Sequence, residues 1–347
     1  MSDGALISAK GVSKRFTKSL DFAGRIAARL GANLADETVH AVDTVDMEIQ
    51  PGEVVGLVGE SGCGKSTLGR MIAGLMTPSG GAIEFRGKDR AQMTGEEGRA
   101  ARLAVQMIFQ DPSAALNPRM RVEDIVGEAP VVHGLVRKAE RRDYVASMLT
   151  RVGLSADAAQ RFPHQFSGGQ RSRINIARAL AVKPQFLVCD EAIAALDVSI
   201  QAQVINLFMD LRRDLDLTYL FISHDLGVVE HISDRVVIMY LGRVVEMAPT
   251  ELLFASPNHP YATALLAEVP RLSTEKRSFH PIKGEIPSPL NPPSGCHFHP
   301  RCPAAMPRCS VEVPMLREIA PQRLAACHLN DVKKTGQVGR PSSFGSE

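Results

Sequence analysis

No charge of one sign dominates this sequence: Lys and Arg number 40 against 38 Asp and Glu in 347 residues, a formal charge of +2 at pH 7. With no long run of either sign, a basic arm for nucleic acid and a polybasic membrane anchor are both excluded. Long apolar runs are missing too. Nowhere do 18 consecutive apolar residues occur, and the opening "MSDGALISAKGVSKRF" lacks the apolar stretch of a signal peptide, so the chain is expected in the cytosol or on the cytosolic face of a membrane. Cysteine is scarce, with six residues, four of them after position 295. Cytosolic thiols are normally kept reduced, so that cluster points to metal binding before disulfides. Core material is plentiful: 44% of residues are hydrophobic, enough for a globular chain of two or three structural units.

Periodicity divides the chain. In "TVDMEIQ" Val45, Met47 and Ile49 alternate with Thr44, Asp46 and Glu48, and residues 5 to 49 read as half-buried antiparallel strands. Between them Phe22, Ile26, Leu30 and Leu34 stand at four-residue steps in an insertion at 17 to 39. This helical stripe is expected to pack on the body of the protein or to meet a membrane surface or partner. A short apolar run, "VVGLVGE" at 54 to 60, leads into "KSTLGRMIAGLM", whose spacing fits a helix. From about 96 to 180 the pattern is helical and charged, and buried strands return at "FLVCD" (186 to 190) and "YLFIS" (219 to 223). Beyond 255 proline becomes frequent, so 256 to 347 is expected to be a loop-rich extension of a domain spanning 1 to 255. No internal repeat is present.

The strand, glycine loop and helix at 54 to 76 carry chemistry. "GESGCGKST" (59 to 67) fits G-x-x-x-x-G-K-[ST]. Its glycines let backbone N–H groups turn inward around phosphates, Lys65 reaches the β- and γ-phosphates, and the Ser66 hydroxyl ligates Mg²⁺. The nucleotide site is therefore assigned to Gly59, Ser61, Gly62, Cys63, Gly64, Lys65, Ser66 and Thr67. "FLVCDE" supplies carboxylates at a strand end: Asp190 to hold Mg²⁺ through water, and Glu191 to orient or deprotonate an attacking water. A lone D-E pair is usually a solvated strand end. Here it follows a phosphate loop and precedes "AALD".

With these motifs the chain resembles the ATP-binding subunits of ABC transporters. "FSGGQ" (166 to 170) looks like that family's signature, with Phe166 where Leu is commoner. The resemblance implies an α/β P-loop NTPase (ABC ATPase) core with an antiparallel β-subdomain, a helical subdomain at about 96 to 180, and ATP and Mg²⁺ as cofactors. It implies that Ser167, Gly168, Gly169 and Gln170 open a helix whose free N–H groups complete the site of a partner subunit. Gln110 in "IFQDP" matches the glutamine loop that senses Mg²⁺, His224 in "FISHD" the switch histidine, and Asp197 in "AALD" the loop that crosses the dimer interface. Phe16 in "SKRF" matches the aromatic that stacks on adenine. Ala192 stands where Pro is common, a departure that spares both carboxylates.

A narrower resemblance comes from "AVDTVDMEIQPGE", "FQDPSAALNPRM", "RFPHQFSGGQ", "SDRVVIMYLGRVVEMAPTELLFASPNHPYATALL" and the cysteine tail. Together they look like the ATPase subunits of bacterial oligopeptide and dipeptide importers. That implies an ATPase peripheral to the cytoplasmic face of the inner membrane. It would work with two membrane permease subunits, a second ATPase (a related chain favoured over a second copy) and a solute-binding protein outside, with no nucleic acid. Relatives import other small solutes, so the cargo stays open.

Cys296, Cys302, Cys309 and Cys327 are separated by five, six and 17 residues. Four such thiolates can hold a [4Fe–4S] cluster or a tetrahedral Zn²⁺. The spacing lacks the short C-x₂₋₄-C pairs of common zinc sites, and in the resembled importers this tail binds iron–sulfur. His297, His299 and His328 are alternative ligands, or solvated and structural histidines. Two rival functions stay in view: a soluble ABC ATPase acting on nucleic acid or ribosomes, and an iron–sulfur sensor with ATPase as its readout.

Overall fold

Side-chain period decides which face each strand buries. In the computed structural model, which describes residues 4–20, 36–194, 196–267 and 284–331, Val45, Met47 and Ile49 are buried while Thr44, Asp46 and Glu48 are exposed. The stripe of Phe22, Ile26, Leu30 and Leu34 lies outside the described residues. β1 (Ile7–Lys18), β2 (Glu37–Ile49), β4 (Gly80–Phe85) and β5 (Lys88–Asp89) form an antiparallel sheet in the order β2-β1-β4-β5, with Ile7 opposite both Ile49 and Phe85.

The second sheet has eight strands. They are β3 (Val54–Val58), β6 (Val105–Ile108), β7 (Phe186–Asp190), β8 (Thr218–Ile222), β9 (Arg235–Tyr240), β10 (Arg243–Pro249), β11 (Arg317–Ala320) and β12 (Arg323–Ala325). Their spatial order is β11-β12-β10-β9-β3-β8-β7-β6. Every residue of β3, β7 and β8 is buried, so these strands read as continuous apolar runs. β6, β7, β8, β3 and β9 run parallel, which brings their C-terminal ends to one edge. Chain order reverses around β3, which lies between β8 and β9. A strand end at such a switch point is where open α/β sheets bind ligands.

The structure departs from the sequence expectation twice. Within 96 to 180, the helix Gly95–Ala104 passes directly into β6, a strand of the main sheet, so the helical subdomain proper is built from Val122–Val132, Arg141–Arg151 and Gly168–Leu180. Beyond 255 the chain is more than loops. The helix Pro260–Ala267 buries Tyr261, Ala262, Leu265 and Leu266, and β12 pairs with β10, so the extension continues the main sheet. Glu246 ties these parts together from a fully buried position. Its carboxylate accepts hydrogen bonds from the N–H groups of Asn258 and His259 and from the Arg323 guanidinium. A buried carboxylate is tolerable there because its charge and its oxygens are all matched.

Candidate functional site

Each parallel strand delivers one part of a single site. β3 ends at Val58, and residues 59–64 turn into the helix Lys65–Ile72. Gly64 has a φ of 105°, and a Cβ there would come within 2.1 Å of the Ala41 carbonyl oxygen, so only glycine fits. Ser61 and Gly62 are exposed at the crown of the loop, Cys63 is buried under it, and Thr67 lies half-buried on the helix. The Lys65 ammonium, itself buried, donates to the carbonyls of Gly59 at 2.7 Å and Glu60 at 2.9 Å.

Ser66 Oγ donates to Asp190 Oδ1 at 2.7 Å. Asp190 closes β7 and is buried, and that burial holds its carboxyl above the ordinary value against the opposing hydrogen bond from Ser66. A hydroxyl beside a buried carboxylate is a hard-oxygen set of the kind that suits Mg²⁺.

Glu191 follows with a φ of 47°, a left-handed conformation that costs a non-glycine residue about 1–2 kcal/mol. Its N–H donates to the Ile222 carbonyl at 3.0 Å, which locks the turn onto β8. Its carboxylate accepts from Gln110 Nε2 at 2.6 Å, just past β6, and lies 3.5 Å from His224 Nδ1, just past β8. Strain of this kind collects where a side chain must be aimed.

A second group of motif residues is exposed. Ser167 caps the 13-residue helix Gly168–Leu180: its Oγ accepts from the Gln170 N–H at 3.3 Å, and Gln170 Oε1 accepts from the Ser167 N–H at 3.1 Å. Ser167 and Gly168 are exposed, and Gly169 and Gln170 partly so. Leu196 and Ile200 are the nearest side-chain neighbours of Gly168 and Gly169, so exposed Asp197 belongs to the same surface. Phe16 is exposed on β1 opposite Val39, with the Lys14 ammonium 5.3 Å from its ring centroid.

Two contacts with the phosphate loop come from residues that the sequence did not single out. The Tyr261 hydroxyl accepts the Glu60 N–H at 2.9 Å, and Arg301 pairs with the Glu60 carboxylate at 2.7 Å. Separations of 201 and 241 residues leave no local signal of either.

Cys296, Cys302, Cys309 and Cys327 are free thiols and line one small cavity with His259, His299 and His328. Among the described residues, no three His, Cys, Asp or Glu side chains converge closely enough to hold a metal ion. Burial raises the thiol pKa of Cys296, Cys302 and Cys327, the last to about 11. Both ring nitrogens of His328 are engaged, by the Asp331 carboxylate and the Glu312 carbonyl, and Nδ1 of His297 and of His299 meets a backbone carbonyl. The histidines have structural partners.

Comparison with known proteins fits this arrangement. Residues 42–194 match the family model described as ABC transporter, and residues 245–309 match that of the oligopeptide/dipeptide transporter C-terminal region. The oligopeptide transport ATP-binding protein AppF of Bacillus subtilis (strain 168) is 50% identical over 295 residues, which cover 84% of this chain and 90% of that protein. The chain belongs to the ATP-binding subunits of oligopeptide/dipeptide ABC importers. A putative peptide import ATP-binding protein of Brucella ovis is 47% identical over 329 residues, covering 94% of this chain and 98% of its own. The dimeric ATP-binding cassette MJ0796, in a post-hydrolysis state with ADP and Pi, superposes with a TM-score of 0.59 at 26% identity, over 70% of this chain and 98% of that one. cbiO1 from Clostridium perfringens, part of the complex cbiONQ, gives a TM-score of 0.59 at 26% identity, over 73% and 92%. As a member of the family, this importer ATPase hydrolyses ATP to drive transport through separate membrane permease subunits. Among its described residues no helix is long and apolar enough to cross a membrane.

Proposed function

We propose that this importer ATPase acts as one half of a head-to-tail pair, its phosphate loop facing the Ser167–Gln170 turn of a second ATPase and the reverse. The observation that carries this reading is the division of the motifs into two half-sites. Lys65, Ser66, Gln110, Asp190, Glu191 and His224 gather at the strand ends, while Ser167 and Gly168 stand exposed at the start of Gly168–Leu180 and Asp197 exposed at the start of Val198–Leu215. An exposed, glycine-rich helix start offers free N–H groups and a positive dipole end to a phosphate, which a partner's nucleotide would supply.

In this reading the loop amides and Lys65 bind the β- and γ-phosphates of ATP, and Phe16 stacks on the adenine. Ser66 and Asp190 would hold Mg²⁺, which neutralises phosphate charge when bound. Glu191 takes the proton of the attacking water. Gln110 fixes the Glu191 carboxylate on one side and His224 faces it on the other, so the base is aimed before the pair closes. Ser167, Gly168, Gly169 and Gln170 reach the γ-phosphate held by the other ATPase, with Asp197 crossing the interface. Closing and opening of the pair drives alternating access in the permeases, with a solute-binding protein delivering peptide outside. The pair is proposed to be two related ATPases, peripheral to the cytoplasmic face of the inner membrane, and the division at residue 255 to separate the ATPase domain from its extension.

We propose that Cys296, Cys302, Cys309 and Cys327, which line one small cavity, hold a [4Fe–4S] cluster, with Zn²⁺ as the alternative. The reading rests on the four thiols lining one cavity and on the absence of short C-x₂₋₄-C spacing between them. The cluster would staple the proline-rich segment in place.

Both readings are tested on one preparation: the chain is pulled down in detergent from its native membrane, its companions are identified by mass spectrometry, and iron and acid-labile sulfide are measured. Two polytopic subunits, a second ATPase of different sequence, and iron and sulfide in equal amounts are expected. A pair made of two copies of this chain would contradict the heterodimer, and zinc without sulfide would contradict the cluster.

A further inference from the structure

The segment that carries the cysteines also reaches into the phosphate loop. Arg301 stands next to Cys302, and its side chain, only 5% exposed, extends to Glu60, the second residue of the loop. Nη1 donates to Glu60 Oε2 at 2.7 Å and Nη2 to Oε1 at 3.0 Å, the forked pairing that guanidinium and carboxylate favour. Nη1 also donates to the Tyr240 hydroxyl at 3.3 Å. Tyr240 packs with Tyr261 and Phe298 at centroid distances of 4.7 and 5.2 Å, so the arginine rests on a rigid aromatic cluster.

Glu60 is engaged at every polar group. Its N–H donates to the Tyr261 hydroxyl at 2.9 Å, its carbonyl accepts from the Lys65 ammonium at 2.9 Å, and its carboxylate takes the Arg301 fork. The carboxylate raises an electrostatic problem. A loop whose task is to hold a polyphosphate carries a negative charge five positions before its binding lysine. Unpaired, that charge repels the ligand that Lys65 attracts, and a partly dry site screens the repulsion poorly. Arg301 removes the problem from 241 residues away.

We propose that Arg301 is a positioning residue of the nucleotide site: supplied by the cysteine-bearing extension, it neutralises Glu60 and pins the first turn of the phosphate loop, so ATP affinity depends on the C-terminal segment. It acts through Glu60. The inference rests on the loop taking ATP.

The test is equilibrium binding of N-methylanthraniloyl-ATP with Mg²⁺ to the full-length chain. Arg301→Met is expected to weaken binding about tenfold, and the penalty to shrink as salt is raised. Arg301→Lys keeps the charge without the fork and is expected to lose about threefold. The double variant Arg301→Met/Glu60→Gln removes both charges and is expected to return to within about threefold of wild type, a recovery that a general loss of folding cannot produce. Glu60→Gln alone leaves the cation in place and is expected to bind more tightly than wild type, which keeps the test available should Arg301→Met fail to fold. Wild-type affinity in Arg301→Met, no recovery in the double variant, or a tenfold loss in Glu60→Gln would each overturn the inference. Failure of the wild-type chain to bind the probe at all would overturn the ATP reading with it, an outcome distinct from the other three.

Discussion

Glu191→Gln lowers the steady-state ATPase rate of the assembled transporter by about 10²–10⁴-fold, the range that a positioned general base contributes. The amide keeps the size of the carboxylate and can still pair with Gln110, which lies 2.6 Å from it, so the left-handed turn at φ 47° and the shape of the site are retained. What is lost, in the role proposed for Glu191, is basicity: an amide oxygen is too weak a base to take the proton of water. The proposed phosphate contacts, from the loop amides and Lys65, do not involve this side chain, so nucleotide binding is expected to persist and the variant to accumulate the proposed closed pair with ATP unhydrolysed. Phosphate release measured alongside size-exclusion chromatography in Mg·ATP checks both halves. A rate within tenfold of wild type would move the base elsewhere, with His224 the nearest candidate at 3.5 Å from the carboxylate.

The second large effect is on binding. Gly64→Ala is expected to raise the Kd for Mg·ATP at least about 100-fold, because its cost is of order 3 kcal/mol. The new methyl group meets the Ala41 carbonyl oxygen at 2.1 Å, and that atom belongs to β2, whose neighbour Val42 is buried in the core and cannot swing aside. Gly62→Ala is the control. Gly62 also has a positive φ, 78°, but nothing lies within 4 Å of its Cβ position, so only the conformational cost of roughly 1 kcal/mol applies and the loss should be about fivefold. Isothermal titration of the two variants separates them, and equal losses would show that close approach to β2 does not govern the loop.

Legibility in the sequence followed the distance over which each feature is encoded. The phosphate loop was readable because strand, glycines and helix lie within about twenty consecutive residues, each with its own period or conformational demand. Gln110, His224 and Asp197 were readable only through resemblance, since one Gln or His carries no pattern of its own. The convergence of Gln110 and His224 on Glu191 follows from the parallel ladder of β6, β7, β8 and β3, which no window of sequence contains. β6 was missed because its four residues continue from a helix without a break. Val105, Met107 and Ile108 are buried, too few to set a period-two signal against the helical pattern before them. β11 and β12 were missed because they have four and three residues, and β12 is a strand through its pairing with β10 on one side and β11 on the other. The proline count of the tail reads as loops, and around the cysteines the chain forms turns and the short helices His299–Arg301, Pro307–Ser310 and His328–Asn330. That count could not give the Arg301–Glu60 pair, which joins residues 241 positions apart.

One measurement bears most directly on the claim that ATP turnover at Glu191 powers peptide import: accumulation of a labelled peptide by proteoliposomes that hold the purified transporter, with Mg·ATP inside and the solute-binding protein outside. Wild-type transporter is expected to concentrate the peptide only when ATP is enclosed, and transporter carrying Glu191→Gln to leave it at the level of ATP-free vesicles. Uptake by the Glu191→Gln transporter at the wild-type rate would contradict that claim.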